Sequence, residues 1–226
     1  KREYVLASGL GHPGVIAPLE ILDTARGPAL VFPDDGNAVP LAKFLRENAA
    51  SLDFRRRLEL IRQIAEIVAY AHRNGVHHRG LTPAQVYVSG GGDKLPVVSV
   101  RDWQTGYQDT SETASLTRQA LLAGATALTE MIESESLIYL APEAFTTDRP
   151  DGVTLDVYGL SAISYLILTD SAPASNIAEI QERLALGGLD PTVHRDEIDS
   201  AFSAVLIRGT RPDVTERTAD AQTFLA

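Results

Sequence analysis

Apolar side chains fall into a helical rhythm along the chain's first third. Leu58, Ile61, Ile64, Ala65, Val68 and Ala71 recur three and four residues apart within 54–73. That spacing lines one stripe of a long helix and predicts a buried face. Upstream, Tyr4, Leu6, Ala7 and Leu10 mark the end of an amphipathic helix over 1–10, which Gly11-His12-Pro13-Gly14 breaks. Two β-like runs follow at 15–22 and 28–32. Pro33-Asp34-Asp35-Gly36 is a turn, and 41–47 is a short helix. Val86-Tyr87-Val88 and Val97-Val98-Ser99-Val100 flank the Gly-rich Ser89-Gly90-Gly91-Gly92-Asp93, the pattern of a hairpin. A polar stretch over 104–117 leads to a helix over 121–131. Residues 155–168 are apolar on every face, which predicts a central buried helix short of membrane length. Helices near 177–186, 198–208 and 218–225 complete the pattern. A small sheet followed by a mostly helical body predicts an α+β fold.

Composition narrows the function. The chain has 226 residues, 44% hydrophobic and 22% charged, an ordinary globular balance with enough length for a large core. A net charge of −10 argues against direct binding of nucleic acid or an anionic membrane surface. With no cysteine there is no disulfide, thiol catalysis or Cys-ligated zinc. Lys1-Arg2-Glu3 does not read as a signal peptide, so a cytoplasmic location is expected. His12, His72, His77 and His194 lack ligand-like spacing.

The chemistry concentrates in residues 71–88, Ala-His-Arg-Asn-Gly-Val-His-His-Arg-Gly-Leu-Thr-Pro-Ala-Gln-Val-Tyr-Val. This run resembles the catalytic loop of the eukaryotic-type (Hanks-type) bacterial Ser/Thr protein kinases, roughly A-H-x-x-G-(I/V)-x-H-R-D-L-K-P-x-N. The frame is kept at Gly75, His78, Arg79, Leu81, Pro83, Val86 and Val88. The three chemical positions differ. Gly80 stands for the base Asp, Thr82 for the phosphate-neutralising Lys, and Gln85 for the metal-binding Asn. Phosphoryl transfer depends on positioning and charge stabilisation, so each replacement removes part of the machinery.

Further landmarks carry the same resemblance. Asp102-Trp103-Gln104 follows a predicted strand where the family has Asp-Phe-Gly. Asp102 is either the remaining ligand for magnesium and nucleotide or a capping, solvent-facing residue. Trp103, the only tryptophan, is expected to fill the aromatic slot under the helix that contains Glu3. Gln104 in place of Gly restricts the backbone there. Ala141-Pro142-Glu143 resembles the end of the activation segment, and Arg217 stands where the partner of its Glu belongs. Asp156, in Leu155-Asp156-Val157-Tyr158-Gly159-Leu160, matches the Asp that holds the catalytic-loop backbone. Glu3 falls at the helix Glu that pairs with the nucleotide-binding Lys in active kinases. No Gly-rich phosphate loop and no such Lys precede it in this sequence, so a solvated helix charge is expected. The Ser- and Thr-rich 105–136 occupies the activation segment. It is expected to be an unmodified mobile loop, the alternative being a phosphate paired with Arg79.

The resemblance implies a protein-kinase-like fold, mainly the helical C-lobe, with a truncated N-lobe sheet. Residues 1–36 would be the N-lobe remnant (end of the regulatory helix, two strands and hinge), and 37–226 the C-lobe. Asp102-Trp103-Gln104, the degraded loop and the run 151–160 are also similar to kinase-like proteins of bacterial phage-growth-limitation (BREX-type) defence systems. The function so implied is a pseudokinase domain used as an allosteric or docking module, whose partners are proteins or neighbouring domains of a longer chain. The alternatives are an active Ser/Thr kinase with a displaced base and a nucleotide sensor. If a cofactor is held, the resemblance implies ATP and magnesium.

Overall fold

A computed structural model describes residues 2–25, 27–90, 95–103, 107–108 and 134–226. Helix α1, Arg2–Ser8, turns Leu6 and Ala7 into the core. Strands β1, Glu20–Thr24, and β2, Gly27–Val31, form an antiparallel pair in which β1 is largely exposed and β2 mostly half-buried. Strand β3, Val39–Pro40, enters α2, Leu41–Asn48. Helix α3, Phe54–Arg73, leads to β4, Val76–His77. Strands β5, Val86–Ser89, and β6, Val97–Val100, pair as a hairpin, and β3 adds to β5 in the order β3-β5-β6. Strand β7, Tyr107–Gln108, pairs with β4. The C-terminal body holds α4, Glu143–Thr146, α5, Gly152–Thr169, α6, Ile177–Ala185, α7, Ser200–Gly209, and α8, Ala221–Phe224. This is the predicted α+β order.

Several expectations shift. The run at 15–22 is not one strand. Val15 makes an isolated parallel bridge to Val100, and the strand begins only at Glu20. The last helix shortens to four residues. The helix over 121–131, the tip of the Gly-rich turn, Gln104 and most of 105–136 lie outside the described residues. In α3 the buried apolar residues are Leu60, Ile61, Ile64, Ala65, Ile67, Val68, Ala69 and Ala71, while Leu58 is half-buried. Arg57 belongs to the buried face at 2% exposure. It donates to the Leu52 and Ile167 carbonyls and grips both oxygens of Asp170 at 2.7 and 2.8 Å. A buried guanidinium needs such a set of acceptors.

Helix α5 is buried on nearly every face, so it has no polar stripe to follow. Three of its buried hydroxyls are satisfied locally: Ser161, Ser164 and Thr169 each donate to the carbonyl four residues back at 2.7 Å. At 18 residues it is long and apolar enough to cross a membrane, contrary to the expectation of a shorter run, yet 83% of that span is buried in the core. It crosses α3 and presses on the loop after β4. A Cβ at Gly159 would lie 2.6 Å from the Leu81 carbonyl oxygen, so only glycine permits this approach.

The acid excess has a structural use. Asp53, Asp151, Asp199 and Asp220 cap the N-termini of α3, α5, α7 and α8, each accepting a backbone N–H. A cap of this kind contributes about 1 kcal/mol. Part of the net charge is therefore helix punctuation rather than a ligand surface.

Candidate functional site

Residues 78–85 are held by α5. The Asp156 carboxylate, 1% exposed, accepts from the backbone N–H of His78 at 2.7 Å and of Arg79 at 2.6 Å. His72 Nε2 lies 3.0 Å away on α3. Burial works against the charge of Asp156. The hydrogen bond and field of His72 and the Arg79 N–H outweigh it and hold the carboxyl below the usual range. This grip fixes Arg79 at φ 67°, a region a non-glycine residue enters only under constraint. Arg79 also donates to the Pro150 carbonyl at 3.2 Å.

His78 is buried, with its ring centroid 4.8 Å from that of Trp103. Its Nε2 donates to the Arg101 carbonyl at 3.1 Å. Burial pushes its pKa down, so the ring is neutral at pH 7. The loop is thereby joined to the segment after β6, where Asp102 stands half-exposed at φ 60°. Asp102 makes no ion pair among the described residues.

The two substituted positions Thr82 and Gln85 close on one another. Thr82 donates through its N–H at 3.1 Å and its hydroxyl at 2.6 Å to the Gln85 side-chain oxygen, and its hydroxyl accepts from the Ala84 N–H at 3.3 Å. This is a capping box around the 3₁₀ turn Pro83–Gln85. With Gly80 ahead of them, the loop 78–85 presents no carboxylate and no ammonium. Gln85 has committed its amide oxygen to Thr82. Magnesium takes carboxylates together with phosphates and water. Among the described residues no group of three His, Cys, Asp or Glu side chains converges. Among the described residues, Asp102 does not make a metal centre with this loop, and these residues do not fit magnesium-dependent transfer.

Glu3 corrects an expectation. It is not solvated but 3% exposed, and its Oε1 accepts from the Trp103 N–H at 3.2 Å. Burial, with the nearby charge of Asp102, raises its pKa. The signal was present in the sequence. Glu3, Leu6, Ala7 and Leu10 occupy i, i+3, i+4 and i+7 of one helical face. Trp103, fully buried, fills the space against α1, and its Nε1 donates to the Val100 carbonyl at 3.3 Å.

Glu143 and Arg217 also meet. Arg217 donates to both Glu143 oxygens, to the Thr154 carbonyl at 2.9 Å and to the Arg211 carbonyl at 2.8 and 3.1 Å. Its guanidinium carbon lies 5.3 Å from the Tyr158 ring centroid. The pair locks α4 to the segment before α8 and stands away from the loop. Sequence reasoning missed Arg57, whose charge hid it within an apolar stripe, and Arg101. The Arg101 guanidinium carbon lies 4.1 Å from the Tyr87 ring centroid.

Comparison with known proteins supports the protein-kinase-like fold. The chain is similar to "Probable kinase PglW" of Streptomyces coelicolor, 33% identical over the whole chain and 15% of that protein. It is 28% identical to "Serine/threonine-protein kinase PknJ" of Mycobacterium tuberculosis, over 99% of the chain and 36% of the relative. It is 26% identical to "Probable serine/threonine-protein kinase PknB" of Lactococcus lactis, over 100% of the chain and 33% of the relative. The chain thus spans between about a seventh and a third of the length of these relatives. No family model matches it.

Proposed function

We propose that this chain, a protein-kinase-like fold of the Hanks type with degraded catalytic motifs, is a pseudokinase domain that acts by docking or allostery inside a longer bacterial protein. The observation that carries the reading is the closed Thr82–Gln85 cap beside Gly80. The loop keeps its frame through Asp156 while its polar groups serve the turn. Such a loop has shape and lacks a base and a phosphate-neutralising charge. In this reading 1–36 is the N-lobe remnant and 37–226 the C-lobe, the location is cytoplasmic, and the partners are neighbouring domains. The reading includes a place in phage-growth-limitation defence, and the similarity to "Probable kinase PglW" supports its kinase-like part.

A second reading keeps nucleotide binding or phosphotransfer with a displaced base. Half-exposed Asp102 and the kinase names of the relatives favour it. The deciding experiment incubates the chain with labelled ATP, magnesium and myelin basic protein. Incorporation is expected to equal that of an Asp102→Ala control. Clear excess over the control overturns the pseudokinase reading.

A further inference from the structure

Tyr87 lies on the outward side of β5, between buried Val86 and Val88. Its ring borders a groove of about 1140 Å³ that runs past Pro40, Ala84, Tyr139 and Leu166 to Ile177. A half-exposed aromatic face beside a groove is a stacking platform for a flat ligand. Here the chain itself occupies a face. The Arg101 guanidinium carbon lies 4.1 Å from the ring centroid, the distance of a stacked pair.

Arg101 is placed there by its backbone. Its N–H donates to the Gln85 carbonyl at 2.9 Å, and its carbonyl accepts from His78 Nε2 at 3.1 Å. Its Nε is buried and has no hydrogen-bond partner among the described residues. A buried donor left unpaired opposes the position it holds. The guanidinium is therefore retained by the ring and by chain geometry, and its displacement relieves an unpaired donor. Arginine suits this role because its charged group is planar and stacks as a ring does.

We infer that Arg101 is a built-in occupant of one face of the Tyr87 ring, and that it keeps planar heteroaromatic ligands such as purines off that face. The inference rests on the pseudokinase reading and adds a cause for poor nucleotide binding that is independent of the lost loop chemistry. It concerns the ring of a ligand, whereas the substitutions at Gly80, Thr82 and Gln85 concern the phosphates.

Adenosine, which carries no phosphate, is the probe. Titration calorimetry without magnesium compares the wild type, Arg101→Ala, Tyr87→Ala and the double variant, each checked by thermal melting. Arg101→Ala is expected to bind adenosine at least about tenfold more tightly than the wild type, a gain within the reach of one base–aromatic stack. The gain is expected to vanish in the double variant. If Arg101→Ala does not fold, Arg101→Gln removes the planar cation and retains much of the stem. Binding within twofold of the wild type overturns the inference, as does a gain that survives Tyr87→Ala. Tighter binding of inorganic phosphate by the wild type than by Arg101→Ala also overturns it, because Arg101 would then be an anion ligand. Phosphate incorporation in the transfer assay would instead sink the pseudokinase reading and leave the adenosine comparison standing.

Discussion

Asp156 and Glu3 are both buried carboxylates that accept backbone N–H groups from the two motif segments, and their situations are opposite. Asp156 receives two short N–H bonds and faces His72, and its carboxyl is held below the ordinary range. Glu3 receives the Trp103 N–H and faces Asp102, and its carboxyl is pushed above that range. Burial raises both pKa values. What differs is the company: donors and imidazoles around one, another carboxylate beside the other. The comparison separates a charge the fold uses as an anchor from one it tolerates. The loop on α5 is fixed from below, and α1 is held against Trp103 by a carboxylate whose ionisation that N–H favours while burial and Asp102 oppose it.

The largest effect is expected at the anchor. Asp156→Ala leaves the His78 and Arg79 N–H groups and His72 without their acceptor, and should lower stability by about 3–5 kcal/mol. Urea unfolding measures this, and a loss below about 1 kcal/mol would break the contrast with Glu3. Next comes the remote pair. Arg217→Met strands Glu143 and two backbone carbonyls and should cost about 3 kcal/mol, with Glu143→Gln costing less. A double-mutant cycle should return a coupling of about 1 kcal/mol or more. Near-additive losses would mean that the two side chains act separately.

The smallest effect lies at Glu3, and its sign sharpens the comparison. Its folded pKa is raised from 4.5, so its favourable contribution is fully present below that value and is lost as pH rises through the folded pKa. Asp156 runs the other way. Its contribution is present above its ordinary 3.8 and is lost as pH falls through the lowered folded value. Glu3→Gln keeps an acceptor for the Trp103 N–H and cannot ionise. It should stabilise the chain by about 1 kcal/mol at pH 8 and leave it unchanged at pH 4. Melting temperatures at the two pH values decide, and a variant less stable than the parent at pH 8 would show that the Glu3 charge is needed.

The contrast also shows where sequence reasoning reached and where it stopped. Periodicity was enough for α3 and α5, because long helices repeat their signal many times. It placed Leu58 in the core and passed over Arg57, since an apolar stripe cannot announce a guanidinium that finds four acceptors after folding. Strands β3, β4 and β7 have two residues each and carry no period to detect. Thr82-Pro83-Ala84-Gln85 was legible twice over. Read against the kinase loop it is a pair of losses, while read alone it is a capping sequence of the T-x-x-Q kind. The stack of Arg101 on Tyr87 depends on the β5–β6 register, which neither residue's neighbours reveal.

The near-total burial of α5 has a consequence for the chain as it is made. Before α3 packs on it, this 18-residue stretch has the length and hydropathy of a membrane-crossing segment. A nascent chain exposing it would be exposed to mis-sorting by insertion machinery that reads only hydrophobicity. Asp156 is the fifth residue of that stretch, and a carboxylate there opposes passage into the bilayer, with a cost that rises to roughly 2.5–3.5 kcal/mol only at the centre. The carboxylate that anchors the loop in the finished fold thus also discourages a wrong destination during synthesis.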